Sequence, residues 1–198
     1  MKIDKNSYSL SDKHFHSEKY KKRKIVLSNS LSGDMKFFRG WELRRNGTYK
    51  KVTHFSVDTN GKVYEHYSPI YHSEFMGSQQ LDKETITINI VNQGWLKKDW
   101  VGNIYKGMDV FKKEWRGYFF WASYNKKQMD SVGELVDFLC DRYKIERNSL
   151  SHNVMFTDAP SFNGVLSRSN FSRKHKDVSP SFDFGTIDNK LLKENIDD

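Results

Sequence analysis

The residues best suited to chemistry fall in a few short stretches. Thr53-His54-Phe55-Ser56-Val57 leads through Asp58-Thr59-Asn60-Gly61 into Lys62-Val63-Tyr64-Glu65, and Tyr71-His72-Ser73 follows. Ser151-His152-Asn153 and His175-Lys176-Asp177 come last, with Arg168 between them. Imidazole and carboxylate groups are common zinc ligands and proton carriers. A cationic or hydrogen-bond-donating group beside them can stabilise an oxyanion, which suits His175 or Lys176. Arg168, in Ser-Arg-Ser-Asn, can pair with a carboxylate such as that of a peptide ligand, or form an ordinary structural ion pair. On its own, His152 reads as a buried loop histidine. On its own, Asp177 reads as a turn former ahead of Val178-Ser179-Pro180. His54 and His72 read as structural or cleft-lining, and His14 and His16, in a basic run, as solvated.

Other signals are absent. There is no Gly-rich phosphate loop, no Cys-x-x-Cys pair, no His-Glu-x-x-His and no Gly-x-Ser-x-Gly, which argues against nucleotide hydrolysis and the common zinc-protease classes. The lone Cys140 sits in an apolar helical pattern and reads as core, so the fold does not rest on an internal disulfide.

These residues need elements to position them. Ile25-Val26-Leu27 predicts a short buried strand, and the apolar spacing over 34–45 predicts a short helix closed by Asn46-Gly47. Val52–Val57 and Lys62–Tyr67 predict a hairpin, because Asn60-Gly61 supplies the positive φ angles of a tight turn. Thr85–Val91 alternates with period two and predicts a strand. Met129, Val132, Leu135, Val136, Leu139, Cys140 and Tyr143 recur every three or four residues, predicting a helix over Lys126–Tyr143. The aromatic segment 95–124 reads as core or as a stacking platform for sugar rings or a stem peptide, and 144–182 as loop-rich. Together these predict an α/β single domain with a mixed central β-sheet flanked by helices. The expected organisation is a loosely ordered basic arm over 1–23, a domain over 24–184 and an acidic tail or short helix over 185–198.

Composition agrees with a globular chain: 198 residues, 36% hydrophobic and 15% aromatic, richer in aromatics than disordered chains. The formal net charge of +8 draws it to polyanions such as nucleic acid or anionic wall polymers. No helix carries Lys and Arg along one face, which argues against nucleic acid as a partner. Neither a secretory leader nor a membrane span is expected.

The ordered set resembles the type-2 N-acetylmuramoyl-L-alanine amidase family, which includes peptidoglycan recognition proteins and phage amidases, and is similar to a divergent phage branch. The hairpin fits the family's His-aromatic-x-hydrophobic-x-x-x-Gly-x-hydrophobic-Tyr pattern. Tyr71-His72-Ser73, the Thr85–Ile90 strand, the 126–143 helix and the stretch from His152 to Asp177-Val178-Ser179-Pro180-Ser181-Phe182 follow in family order. The resemblance implies peptidoglycan as partner and, in active members, zinc-assisted hydrolysis of the amide between N-acetylmuramic acid and L-alanine. It implies His152 and Asp177 as metal ligands, with His54, His72 and Arg168 facing substrate. His175 stands where the family often has Lys, with Lys176 beside it. The chain departs from the pattern at Ser28, where the family has its first His ligand. Asn89 replaces an acidic base used by some members, and Thr53 replaces a Tyr used by others. A serine hydroxyl is a poor zinc ligand, so the resemblance also implies an alternative: a catalytically lapsed member that binds cell wall or serves as a structural virion component beside other virion proteins. Its expected location is a phage virion, or the host cytoplasm before release to the wall.

Overall fold

The computed structural model describes residues 1–98, 101, 107–150 and 154–192. Its main sheet has six strands: β1 (Ile3–Asp4), β2 (Lys24–Asn29), β3 (Phe55–Val57), β4 (Val63–Glu65), β5 (Thr85–Ile90) and, last in the chain, a strand over Gly164–Ser167. Between β5 and that last strand come β6 (Trp95–Leu96), β7 (Val110–Trp115) and β8 (Tyr118–Ala122), so Gly164–Ser167 is β9. Helices α1 (Phe37–Leu43), α2 (Gln79–Glu84), α3 (Lys126–Tyr143) and α4 (Gly185–Leu192) complete the fold. The main sheet runs β1-β4-β3-β5-β2-β9 and is mixed: β3, β5, β2 and β9 are mutually parallel, and β4 returns antiparallel to β3.

Period-two alternation gives this sheet two different faces. Ile25, Leu27, Ile86, Ile88, Ile90, Phe55, Val57, Val63 and Val165 form one core with Val132, Leu135, Val136 and Leu139 of α3. α3 occupies the predicted span. It starts at Asn125, whose side chain accepts from the Gln128 amide, and ends at Lys144 in the left-handed conformation. Against it lies α4, through Ile187 and Leu191. The opposite face carries Ser28, Thr85, Thr87, Asn89, His54 and Ser56, all buried. A buried polar face needs partners. Some come from the cover formed by residues 8–16, α1 and 66–75, where Leu10, Phe38, Trp41, Val52 and Tyr67 make a second core.

Three expectations change. Segment 1–23, expected as a loosely ordered arm, is bound to the sheet: β1 pairs with β4, the Leu10 amide donates to the His66 carbonyl at 2.7 Å, and Lys22 is 2% exposed. Segment 144–182 is less loop-rich than expected, because Val165 and Leu166 extend the sheet beside Ile25 and Val26. The strand starts at Gly164, φ +123, where an added Cβ would collide with the Asn148 carbonyl. The aromatic segment folds as a three-stranded antiparallel sheet, β6-β8-β7. Trp121 is its fully buried centre and donates to the Lys113 carbonyl at 2.8 Å, while Phe119 is 55% exposed. The hairpin forms where expected but with shorter strands, closed by Gly61 at φ +79, against which Ser131 and Lys127 of α3 pack tightly.

Candidate functional site

Parallel register sets the floor of the site. Ser28 on β2 lies beside Asn89 on β5, and Asn89 beside Ser56 on β3. Ser28 is 1% exposed, and among the described residues its hydroxyl donates to the Ile88 carbonyl, at 3.5 Å. Asn29, the next residue, has both side-chain polar atoms buried without a hydrogen-bond partner among the described residues.

Beside this row, β9 runs directly into a 3-10 turn over Arg168–Asn170. Asn170 ties the turn down, accepting from the Ser167 amide at 2.7 Å and donating to the Val154 carbonyl at 2.7 Å. The Ser169 amide donates to the Asp177 carbonyl at 2.8 Å, which draws the later loop onto the end of β9. Arg168 then sits 3.9 Å from Asp177 Oδ2 and over the Phe75 ring. That separation is beyond hydrogen-bond reach, and Oδ2 is buried without a hydrogen-bond partner among the described residues. Burial pushes the Asp177 carboxyl up to about 6, against the pull of the Arg168 guanidinium.

Arg116, from the turn between β7 and β8, staples the loop. It donates to the carbonyls of Ser169 at 2.8 Å, Ser172 at 2.7 Å and His175. His175 is pushed down to about 4 by burial and by the charges of Arg168, Arg116 and Lys176, so it is neutral near pH 7. The Lys176 ammonium lies over the Tyr118 ring, 5.4 Å from its centroid. Thus Arg168, His175, Lys176 and Asp177 do come together.

The other expected site residues lie elsewhere. His54 is 1% exposed, and both its ring nitrogens are engaged. Nε2 donates to the Tyr71 carbonyl at 3.1 Å, and Nδ1 accepts from the Thr87 amide at 3.0 Å. Burial holds its pKa well below the usual histidine value. His54 therefore pins the cover to the sheet as a neutral ring. Asn89 belongs to the Ser28 row. His72 lines a separate groove, stacked on His16 with ring centroids 4.9 Å apart. His152 lies outside the described residues. His14 is not solvated as expected: it is buried, and its Nδ1 donates to the Tyr49 carbonyl at 2.9 Å, whereas His16 stays half-exposed while its backbone bridges to His72.

A mixed sheet packed on one long helix, with a strand-end loop holding Asp177 beside Arg168, is the architecture of the amidase class. The chain belongs to the N-acetylmuramoyl-L-alanine amidase family, whose model matches residues 12–175. Solved structures agree in fold. The PlyG catalytic domain superposes with a TM-score of 0.59 at 14% identity, covering 99% of this chain and 96% of that one. The amidase LysC from Clostridium intestinale gives 0.58 at 14%, covering 96% and 97%. The E. coli amidase AmiD, solved with anhydro-N-acetylmuramic acid-L-Ala-D-gamma-Glu-L-Lys, gives 0.59 at 15%, covering 88% and 59%. No curated protein matches the chain.

Catalytic zinc takes three protein ligands and keeps a position open for water. The described residues here do not fit that demand. Ser28 offers a hydroxyl directed at a backbone carbonyl, and Asp177 already has a guanidinium beside it. A second cation so close would be repelled.

Proposed function

We propose that this chain is a peptidoglycan-directed member of the amidase family that binds the wall with little or no hydrolysis of it. The observation that carries this reading is the Arg168–Asp177 pair at 3.9 Å. The Arg168 guanidinium takes the electrostatic place of a dication beside the aspartate, and β2 carries Ser28 rather than an imidazole near its end. Asn89 supports the same reading, because an amide cannot accept a proton as a base. Arg168, Arg116 and Lys176 form a cationic patch suited to the carboxylates of stem peptides, with the ring of Tyr118 beside it. The zinc-hydrolysis reading rests on the raised Asp177 carboxyl, whose Oδ2 has no hydrogen-bond partner among the described residues, and requires His152 and a further ligand to assemble with it. A place in a phage virion, with other virion proteins as neighbours, or in the host cytoplasm before wall contact, belongs to the same proposal.

The test is co-sedimentation with purified peptidoglycan, with duplex DNA as the rival polyanion. Wall binding that weakens in Arg168→Met supports the proposal. Binding to DNA alone, lost steeply with added salt, defeats it.

A further inference from the structure

A cluster of possible metal-ligand side chains outside the Asp177 site lies where the N-terminal segment crosses residues 72–74. His16 and His72 face each other across a backbone bridge, with rings stacked at 4.9 Å. One ligand atom each from His16, Glu18 and His72 lies within 4.8 Å of the others. They open onto a groove of about 560 Å³ that Glu74 and Asp82 also line, opposed by Lys51 and Lys83.

His72 supplies the independent sign of a ligand. It is 5% exposed, and its Nδ1 is buried without a hydrogen-bond partner among the described residues. A ring nitrogen so placed lacks an acceptor if protonated and a donor if not. His16 is only loosely held: Nε2 lies 3.4 Å from Glu74 Oε1, and Nδ1 lies 3.5 Å from the Lys50 ammonium. Exposed Glu18 and half-exposed His16 can rotate toward the fixed His72, closing the ligand spacing to what one ion of the zinc class needs, with metal–nitrogen bonds of about 2.0–2.1 Å.

We propose that His16, Glu18 and His72 form a binding site for one divalent transition-metal ion of the zinc class, with an open position facing the groove. Two imidazoles and a carboxylate are a donor set that suits this class. The ion would clasp the N-terminal segment to the 72–74 strap. This site is separate from the Arg168–Asp177 pair and does not depend on the wall-binding reading.

The experiment titrates zinc chloride into the chelator-stripped full chain, with calorimetry and thermal unfolding as readouts. The expected result is one zinc per chain and a rise in Tm, as follows when an ion binds only the folded form. His16→Ala and His72→Ala should each weaken binding at least about tenfold, since loss even of an outer partner has that effect. Glu18→Gln, exposed and unable to disturb the core, should weaken it similarly, and Asp177→Asn should leave it unchanged. The proposal is overturned if the wild-type chain takes up no zinc, if uptake survives in Glu18→Gln and His16→Ala, or if it disappears in Asp177→Asn.

Discussion

Asp177→Asn is expected to stabilise the protein at neutral pH and to lose that advantage in acid. Asp177 is 8% exposed, and its burial raises the carboxyl pKa from 3.8 to about 6 even with Arg168 alongside. Between these two values the folded chain keeps a proton that the unfolded chain releases. The stability due to that proton is fully present below the unfolded pKa and is lost as pH rises through the folded one. At about 1.4 kcal/mol per pH unit, the loss amounts to ~3 kcal/mol above about pH 7. Asn does not ionise and so does not incur it. In a chain of this size the gain corresponds to roughly 6–12 °C in Tm. Urea unfolding of both proteins over a pH series measures the gap directly. A gap that stays constant with pH, or a wild type that gains on the variant as pH rises from the acid side, would refute the assignment of a desolvated, weakly paired carboxylate.

Other substitutions probe the rest of the structure. His66 donates from Nδ1 to the Tyr8 carbonyl and accepts from Ser56 at Nε2, and burial lowers its pKa to about 4. Its contribution is present above the unfolded histidine pKa and lost as pH falls through the folded one, so His66→Asn should flatten the acid limb of the stability curve by ~3 kcal/mol; an unchanged slope would contradict the buried neutral ring. Arg116→Ala removes three carbonyl contacts from the 169–175 loop, and limited proteolysis should cut there first, whereas a wild-type digestion pattern would show that the clamp is dispensable. Leu135→Ala, at a fully buried position of α3, should cost about 2–5 kcal/mol in denaturant unfolding. Gly61→Ala should also destabilise measurably in the same assay, because φ is +79 and the new Cβ would lie 2.8 Å from Ser131 Oγ.

The parts of the fold legible in the chain are those whose side chains alternate or recur. β5 reads clearly because Ile86, Ile88 and Ile90 face α3 while Thr85, Thr87 and Asn89 face the other way, and α3 reads clearly because its apolar positions recur every three or four residues. β9 does not, since Gly164-Val165-Leu166-Ser167 is short and its residue types do not alternate. In the site, the cluster of Arg168, His175, Lys176 and Asp177 was visible as residue types near Pro180, but its arrangement depends on a backbone link from Ser169 to Asp177. Arg116 left no trace in the sequence because it acts on carbonyls, which every residue carries. His16 was equally hidden: its partner His72 is distant in the chain, and only the packing of residues 1–23 against the sheet brings them together. No helix among the described residues is long and apolar enough to cross a membrane.

The central claim is that the Arg168–Asp177 pair occupies the place of a working zinc centre. It is tested most directly by incubating the purified chain with peptidoglycan in the presence of added zinc and measuring new L-alanine amino termini. The account predicts that the chain remains bound to the wall while free amino termini stay at the level of the protein-free control. Steady release of L-alanine amino termini that stops on Asp177→Asn would contradict it.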